Sequence, residues 1–133
     1  MSTLHLTIVT PDGLKYDGEA ESISVVSTEG GIEILPHHIN YATSLGMGPA
    51  YVGVNGEKRC GACIGGMLSV SENHVRVIAT TFEWCNEIDK ERAQAALSAA
   101  EAKLANDNLT KSDRELVIAA KQRAQVRLGC ANE

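Results

Sequence analysis

Hydrophobic residues recur at every second position in the first two thirds of the chain, which is the period of β-strands that bury one face. Leu4, Leu6 and Ile8 share one face of the first such segment, and Ile23 and Val25 share one face of a later segment. Turn-forming sequences separate these segments at short intervals. The pattern therefore predicts eight to ten short strands arranged as a β-sandwich or a flattened barrel.

Three glycine-containing sequences mark the turns and bends most clearly. Thr10-Pro11-Asp12-Gly13 combines a proline, which presets φ, with a glycine that accepts a positive φ. Asn55-Gly56 is the strongest signal in the chain for a two-residue hairpin turn. Gly65-Gly66 is expected to allow a sharp bend or a close backbone approach between two strands.

The period changes from that of a strand to that of a helix near Trp84–Asp89. Asp89 is the predicted N-cap of a first helix, whose apolar face contains Ala93, Ala96, Leu97, Ala100 and Leu104. A second helix is predicted to begin at the capping box Ser112-x-x-Glu115 and to end at Gly129, and its apolar positions are Leu116, Val117, Ala120, Ala124 and Leu128. The short connection between the two helices predicts an antiparallel helical hairpin.

These segments predict an α+β protein, mainly β, with a β-sandwich over residues 1–86 and a helical hairpin over residues 87–133. Alanine side chains bury little area, so at about 25 cal/mol per Å² the packing between the two helices is expected to be weak. We expect the helical hairpin to detach or unfold unless a partner or a ligand holds it.

The net charge of −5 is concentrated in the β segment. Residues 1–87 contain four Lys/Arg and ten Asp/Glu, a net charge of −6, whereas residues 88–133 contain eight and seven, a net charge of +1. An acidic β domain argues against nucleic acid as a partner. The sequence also shows no apolar run of the roughly 20 residues that a membrane span needs. It shows no secretory signal either, so we expect reduced cysteines in a cytosolic setting.

Two small groups of potential metal ligands have simpler interpretations. Cys60 and Cys63 have the spacing of redox and zinc motifs, but they lie in a predicted strand without a second ligand pair, which favours buried, inert thiols. His37-His38 follows a proline in a loop, which favours an exposed contact surface over a metal site. No arrangement typical of a catalytic centre stands out, so no catalytic residue and no metal ligand is predicted.

Arg123 and Arg127 lie one turn apart on the second predicted helix, and no acidic residue lies three or four positions from either. An anion between them would relieve their repulsion through fork-like hydrogen bonds. Arg92, in the first turn of the first helix, could join them if the hairpin is antiparallel. The alternative is a solvated basic stripe without a ligand.

Six stretches of the chain share their order and spacing with one known family. They are Leu6-Thr-Ile-Val-Thr-Pro-Asp-Gly13, Tyr16-Asp-Gly-Glu-Ala20, Glu29-Gly30, Ile34-Leu-Pro36 with His38, Gly65-Gly-Met-Leu-Ser-Val70 and Ile88-Asp-Lys-Glu-Arg-Ala93. Together they resemble the epsilon subunit of F-type ATP synthases over the whole length of the chain. The resemblance implies a non-catalytic, bacterial-type subunit of the central stalk, held peripherally on the cytoplasmic face of the plasma membrane. Its implied partners are the gamma subunit, the membrane c-ring and the beta (alpha/beta) subunits.

The resemblance also implies a regulatory role for the helical hairpin. In that family the extended hairpin blocks ATP hydrolysis with basic side chains that face the beta subunit, and the matching residues here are Arg114, Lys121, Arg123 and Arg127. No cofactor is required, but ATP is implied as a regulatory ligand of the folded hairpin. Its implied site contains Glu83, Ile88, Asp89, Arg92, Ala93, Arg123 and Arg127. Ala99 stands where the family has a further arginine.

A loop that contacts the c-ring is implied at Gly31, Glu33, His37 and His38. This chain departs from the family there, because Glu33 and His37 stand where glycine is usual. Two other functions stay open from the residues alone. One is a stand-alone nucleotide-sensing module, and the other is a thiol or metal-binding β protein that uses Cys60 and Cys63.

Overall fold

The computed structural model describes residues 2–106 and 108–132. The described residues form seven strands, one short 3-10 helix (Cys85–Glu87) and two α-helices. The strands are β1 (Leu4–Thr10), β2 (Gly13–Ala20), β3 (Ser22–Ser27), β4 (Gly30–Ile34), β5 (Tyr41–Val54), β6 (Glu57–Ser71) and β7 (His74–Trp84). The α-helices are α1 (Lys90–Leu104) and α2 (Lys111–Ala131). The chain divides after Trp84 into two compact units, residues 1–84 and 85–133.

The β unit is one seven-stranded sheet in the order β2-β1-β7-β6-β5-β3-β4. The pairing of β1 with β7 is parallel, and the other strand pairs are antiparallel. The alternating residues Leu4, Leu6 and Ile8 are buried in one aliphatic core, as predicted. The sandwich fold and the mainly β composition are thereby confirmed.

The predicted number of strands, eight to ten, was wrong. Segments on both sides of Gly65-Gly66 belong to the single strand β6, and those near Leu45 and Tyr51 belong to β5. The glycine pair bends β6 without ending it, because Gly65 and Gly66 have φ values of 70° and 118° while the pairing with β5 and β7 continues.

The face that β6 and β7 present to the core changes at this bend. In β6 the core side chains are Cys63 before the glycines and Leu68 after them, so the buried positions switch from odd to even numbers. In β7 they switch from Val77 to Phe82. A regular strand keeps one parity throughout, so the bend changes which side chains face outward beyond it.

At Gly66 the backbone of β7 leaves no room for a side chain on β6. A Cβ atom on this residue would overlap the carbonyl oxygen of Ile78 and lie 2.7 Å from the Cα atom of Ala79. Both obstacles are backbone atoms, so rotation of a side chain cannot relieve them. Together with its positive φ, this approach leaves glycine as the residue that fits.

Trp84 closes the last strand of the β unit and is 4% exposed. Its ring packs edge-on against Phe82 and Tyr16, with centroid distances of 4.9 Å and 6.3 Å. The guanidinium carbon of Arg59 lies 3.8 Å from the ring centroid, a cation–π contact. The indole Nε1–H donates to the carbonyl oxygen of Lys15 at 3.3 Å.

The predicted turns are confirmed. Thr10 and Gly13 end β1 and begin β2, and Gly13 has a φ of 129°. Asn55 and Gly56 connect β5 and β6 with φ values of 54° and 80°, as a turn with two left-handed residues requires.

The helical unit consists of α1 and α2, which pack against each other. Asp89 is the N-cap of α1, as predicted, and its Oδ1 atom accepts the backbone N–H of Arg92 at 3.1 Å. The predicted start of α2 at Ser112 was wrong, because the hydroxyl of Thr110 caps the helix by accepting the N–H of Asp113 at 3.1 Å.

Two further details of α2 differ from prediction. Gly129 lies inside the helix, which continues to Ala131, because one glycine lowers helix propensity without stopping a helix. Of the apolar positions predicted for α2, Ala124 is buried and Val117 is half-buried, whereas Leu116 is 69% exposed.

We predict that Gly66→Ala lowers the free energy of unfolding of the β unit by more than about 2 kcal/mol, because it adds backbone overlap to dihedral strain. Gly13→Ala is the matched control, since Gly13 has a φ of 129° with no atom within 4 Å of a Cβ position. It should cost about 1 kcal/mol, the dihedral strain alone. Urea unfolding followed by the fluorescence of Trp84, the single tryptophan, measures both. Equal losses in the two variants would contradict the close-approach explanation.

Candidate functional site

A row of apolar side chains crosses the outer face of the sheet. Leu14, Val9, Ile78 and Met67 stand opposite one another on the neighbouring strands β2, β1, β7 and β6. Residues directly opposite in a sheet project from the same face. Leu14, Ile78 and Met67 are 59%, 61% and 56% exposed, and Val9 is half-buried. Grouped exposed apolar side chains of this kind mark interaction surfaces.

This outer apolar row was not predicted from the sequence. A signal was present, because Val9 and Ile78 are apolar at positions that alternation assigns to the solvent side of their strands. Met67 could not be placed in this way. Regular alternation from the buried Cys63 would turn it inward, and only the bend at Gly65-Gly66 turns it outward.

The structure separates the four residues of the implied c-ring loop into two groups. Gly31 and Glu33 are exposed on β4, which is an edge strand of the sheet. His37 and His38 lie in the connection between β4 and β5, and the Nδ1 atom of His38 lies 2.8 Å from the carbonyl oxygen of Ile39.

The connection that contains His37 is tied to the turn between β6 and β7 by Asn73. The side-chain oxygen of Asn73 accepts the backbone N–H of His37 at 2.7 Å, and its amide nitrogen donates to the carbonyl oxygen of Thr3 at 2.9 Å. The carbonyl oxygen of Asn73 also accepts the backbone N–H of His5 at 3.0 Å. One side chain therefore joins the N-terminal segment to this connection. Two large apolar side chains of the connection, Leu35 and Ile39, remain 54% and 77% exposed.

Six of the seven residues of the implied ATP site belong to the helical unit, and Glu83 lies on β7 in the β unit. Asp89 serves there as the N-cap of α1, so its carboxylate already accepts one backbone N–H. Ala93 is buried, Arg92 is exposed, and Arg123 and Arg127 are half-buried on α2.

The basic residues implied in inhibition all lie on α2. In this structure Arg114 ties the start of α2 to the end of α1. Its guanidinium donates to the carbonyl oxygens of Leu104 at 3.5 Å and Asn106 at 3.4 Å. Lys121 is half-buried.

The cysteines do not form a dithiol site. Cys60 and Cys85 are disulfide-bonded, which corrects the expectation of four reduced thiols. Cys63 is a buried thiol whose pKa burial raises to about 11, so it stays protonated and unreactive near neutral pH. Cys130 is a buried thiol as well. Cys60 and Cys63 therefore cannot act together as a redox pair or as metal ligands in this state.

Residues 2–106 and 108–132 contain no cluster of three or more His, Cys, Asp or Glu side chains that could hold a metal ion. Over the same residues, neither helix is long and apolar enough to cross a membrane.

Comparison with known proteins accounts for both units. The family model "ATP synthase, Delta/Epsilon chain, beta-sandwich domain" matches residues 3–85. The ATP synthase epsilon chain of Shouchella clausii is 36% identical over 131 residues, which cover 98% of this chain and 96% of that protein. The epsilon chain of Bacillus velezensis is 38% identical over 131 residues, with 98% of each chain covered.

A chain in the cryo-EM structure of the Euglena gracilis mitochondrial ATP synthase has the same fold. The TM-score is 0.85 at 22% identity, and the match covers 100% of this chain and 83% of that chain. The family model and these relatives place the chain in the class of non-catalytic subunits of the ATP synthase complex. The chain belongs to the ATP synthase epsilon chain family.

Proposed function

We propose that this chain is a rotor subunit of an F-type ATP synthase that joins the central shaft to the c-ring. The observation that carries the proposal is the outer apolar row on a sandwich of this family. Leu14, Ile78 and Met67 are each more than half exposed, and a partner surface would remove them from water. We assign this row to the gamma subunit.

We assign the second contact, with the c-ring, to β4 and the connection that follows it. Gly31 and Glu33 lie on the β4 edge, and His37 and His38 lie next to the exposed Leu35 and Ile39. Asn73 holds the connection in place through the N–H of His37, so its side chains would be presented in a defined conformation. The complex would hold the chain peripherally at the cytoplasmic face of the plasma membrane.

The helical unit would regulate ATP hydrolysis. Its buried alanines, Ala93, Ala100 and Ala124, contribute small contact areas, so unpacking the two helices costs little. In an extended arm, Arg114, Lys121, Arg123 and Arg127 would face an acidic segment of the beta subunit. Arg114 would have to release its hydrogen bonds to the end of α1 first.

ATP would favour the folded hairpin by binding the arginines of both helices. Arg123 and Arg127 are one turn apart on α2, and Arg92 lies in the first turn of α1. A triphosphate satisfies guanidinium groups through paired charged hydrogen bonds. Within the helical unit, Ile88, Asp89 and Ala93 complete the proposed site.

We predict that Ile78→Lys weakens binding of the chain to the gamma subunit by at least about tenfold, because it buries a charge in the interface. Ile78 is 61% exposed, so the fold should be unaffected. Leu116→Lys, which changes an exposed leucine of α2, is the control and should bind normally. Calorimetry with purified gamma subunit measures both, and normal binding by Ile78→Lys would remove the assignment of this face.

Deleting all residues after Asn86 should raise the ATP hydrolysis rate of the assembled complex, because the arm that would block hydrolysis is gone. The comparison needs complexes that contain equal amounts of truncated and full-length chain. If hydrolysis stays the same at equal occupancy, the helices are not inhibitory.

The full-length chain should bind ATP saturably at concentrations up to about 1 mM, and Arg123→Ala should weaken that binding. Lys111→Ala removes one positive charge from the same helix outside the proposed site, so it should leave ATP binding unchanged. Asp89→Asn tests the carboxylate of the proposed site separately from the helix cap, because it removes the negative charge and keeps a hydrogen-bond acceptor for the cap. Isothermal titration calorimetry with ATP measures the affinities of the natural chain and the three variants. Equal losses of affinity in Arg123→Ala and Lys111→Ala would indicate unspecific attraction to a basic surface.

A further inference from the structure

Two histidines stack on the outer face of the sheet, where β1 meets β7. The rings of His5 and His74 have centroids 4.3 Å apart and planes inclined by 15°. The two residues are directly paired in the parallel β1–β7 ladder. Neither the family resemblance nor the proposed contacts use them.

A chain of hydrogen bonds links both rings to Asp17 on β2. The Nε2 atom of His5 lies 2.6 Å from Oδ1 of Asp17, and because a carboxylate only accepts, His5 is the donor. The hydroxyl of Thr7 donates to the same oxygen at 3.4 Å. The Nε2 atom of His74 lies 2.9 Å from the same Thr7 hydroxyl, and the tautomer of the His74 ring sets which of the two groups donates.

The rings of His5 and His74 have different polar partners, so a proton is stabilised differently on each ring. A proton on His5 forms an ion pair with Asp17, whereas His74 meets the neutral hydroxyl of Thr7. Arg76 stands two residues from His74 on the same face of β7. An open cavity of about 610 Å³ adjoins the rings and is lined also by Arg76, Glu19 and Glu72, so water reaches the site.

Burial, followed by the charges of Arg76 and His5, lowers the pKa of His74 from its ordinary value of 6.5, and Asp17 opposes this shift. The hydrogen bond from His5 is the largest cause that lowers the pKa of Asp17 below 3.8. Both pKa shifts have the direction that the geometry predicts. Asp17 pairs with a positive charge on His5, whereas a positive charge on His74 would lie near the charges of Arg76 and His5.

The pair occupies a sensitive position in the sheet. β2 is an edge strand, so the β1–β2 hairpin joins the rest of the sheet through the β1–β7 ladder. His5 and His74 form the first pair of that ladder. The adjacent Asn73 accepts the N–H of His5 and also holds His37, so loosening of the first pair would reach the β4–β5 connection.

We infer that the stacked His5–His74 pair is a proton-sensitive clasp, which opens the end of the β1–β7 ladder when both rings are protonated. The second proton puts two cations in a stack and removes the attraction that keeps the rings together. The open end of the β1–β2 hairpin and the β4–β5 connection then separate from the turn at Asn73. This inference concerns the chain itself and does not depend on the proposed partners.

The direction of the pH dependence follows from the lowered pKa of His74. The folded state favours the neutral ring, so this stabilisation is present above pH 6.5 and is lost as the pH falls from 6.5 toward the folded-state pKa. Protonation of Asp17 acts only below pH 3.8, so the two effects occupy separate ranges.

Hydrogen exchange of the full-length protein between about pH 7.5 and pH 5.5 tests the clasp, with rates corrected for the intrinsic effect of pH. In segments 3–7, 17–20 and 35–40, local opening should increase by up to about tenfold for each pH unit below 6.5, while the centre of β5 and β6 stays protected. His74→Gln, which cannot gain a proton, should abolish the increase. His38→Gln is the control and should retain the increase in segments 3–7 and 17–20, which do not contain His38.

Absence of the increase in the natural chain, or its persistence in His74→Gln, would overturn the inference. His5→Gln repeats the test if His74→Gln does not fold, because one remaining ring cannot form a pair of cations. Imidazole NMR of the natural chain is independent of any variant. Titration of His74 at or above its ordinary pKa of 6.5 would refute the clasp.

Discussion

The close approach of two backbones at Gly66 is the constraint on which the β unit depends. Glycine is the amino acid that fits this position, because it accepts a φ of 118° and has no Cβ atom to overlap the Ile78 carbonyl oxygen and the Ala79 Cα atom. The bend made there lets β6 stay paired on both sides while its inward face changes. One continuous sheet can then enclose a core that includes Leu68 and Phe82.

The same bend adds Met67 to the outer apolar row. Without the change of parity, Met67 would follow Cys63 into the core, whereas Ile78 faces outward by alternation with the buried Val75 and Val77. With it, both side chains face outward and stand opposite each other. The outward position of Met67 in the proposed docking surface therefore results from the same bend that turns Leu68 into the core.

The two ends of the outer face differ in chemistry. The end near the bend is apolar, whereas the opposite end carries the hydrogen-bonded group around His5, Asp17 and His74. Asn73 connects that polar end to the connection that contains His37. A sandwich built in this way offers one apolar surface and, separately, one surface whose order depends on proton binding. In the helical unit the buried residues of the two α-helices are small: Ala93, Ala100, Ala124 and Cys130.

The sequence by itself determined the fold class, the turns at Gly13 and Asn55-Gly56, and the cap at Asp89, because each rests on residues close together in the chain. It also identified the family, through six stretches whose order is specific. Only the tertiary structure decided the number of strands, the outward direction of Met67, the cap at Thr110 and the pairing of His5 with His74. Apart from the cap, these features depend on which strands become neighbours and how they bend. His5 and His74 are far apart in sequence, and no local pattern indicates that they meet.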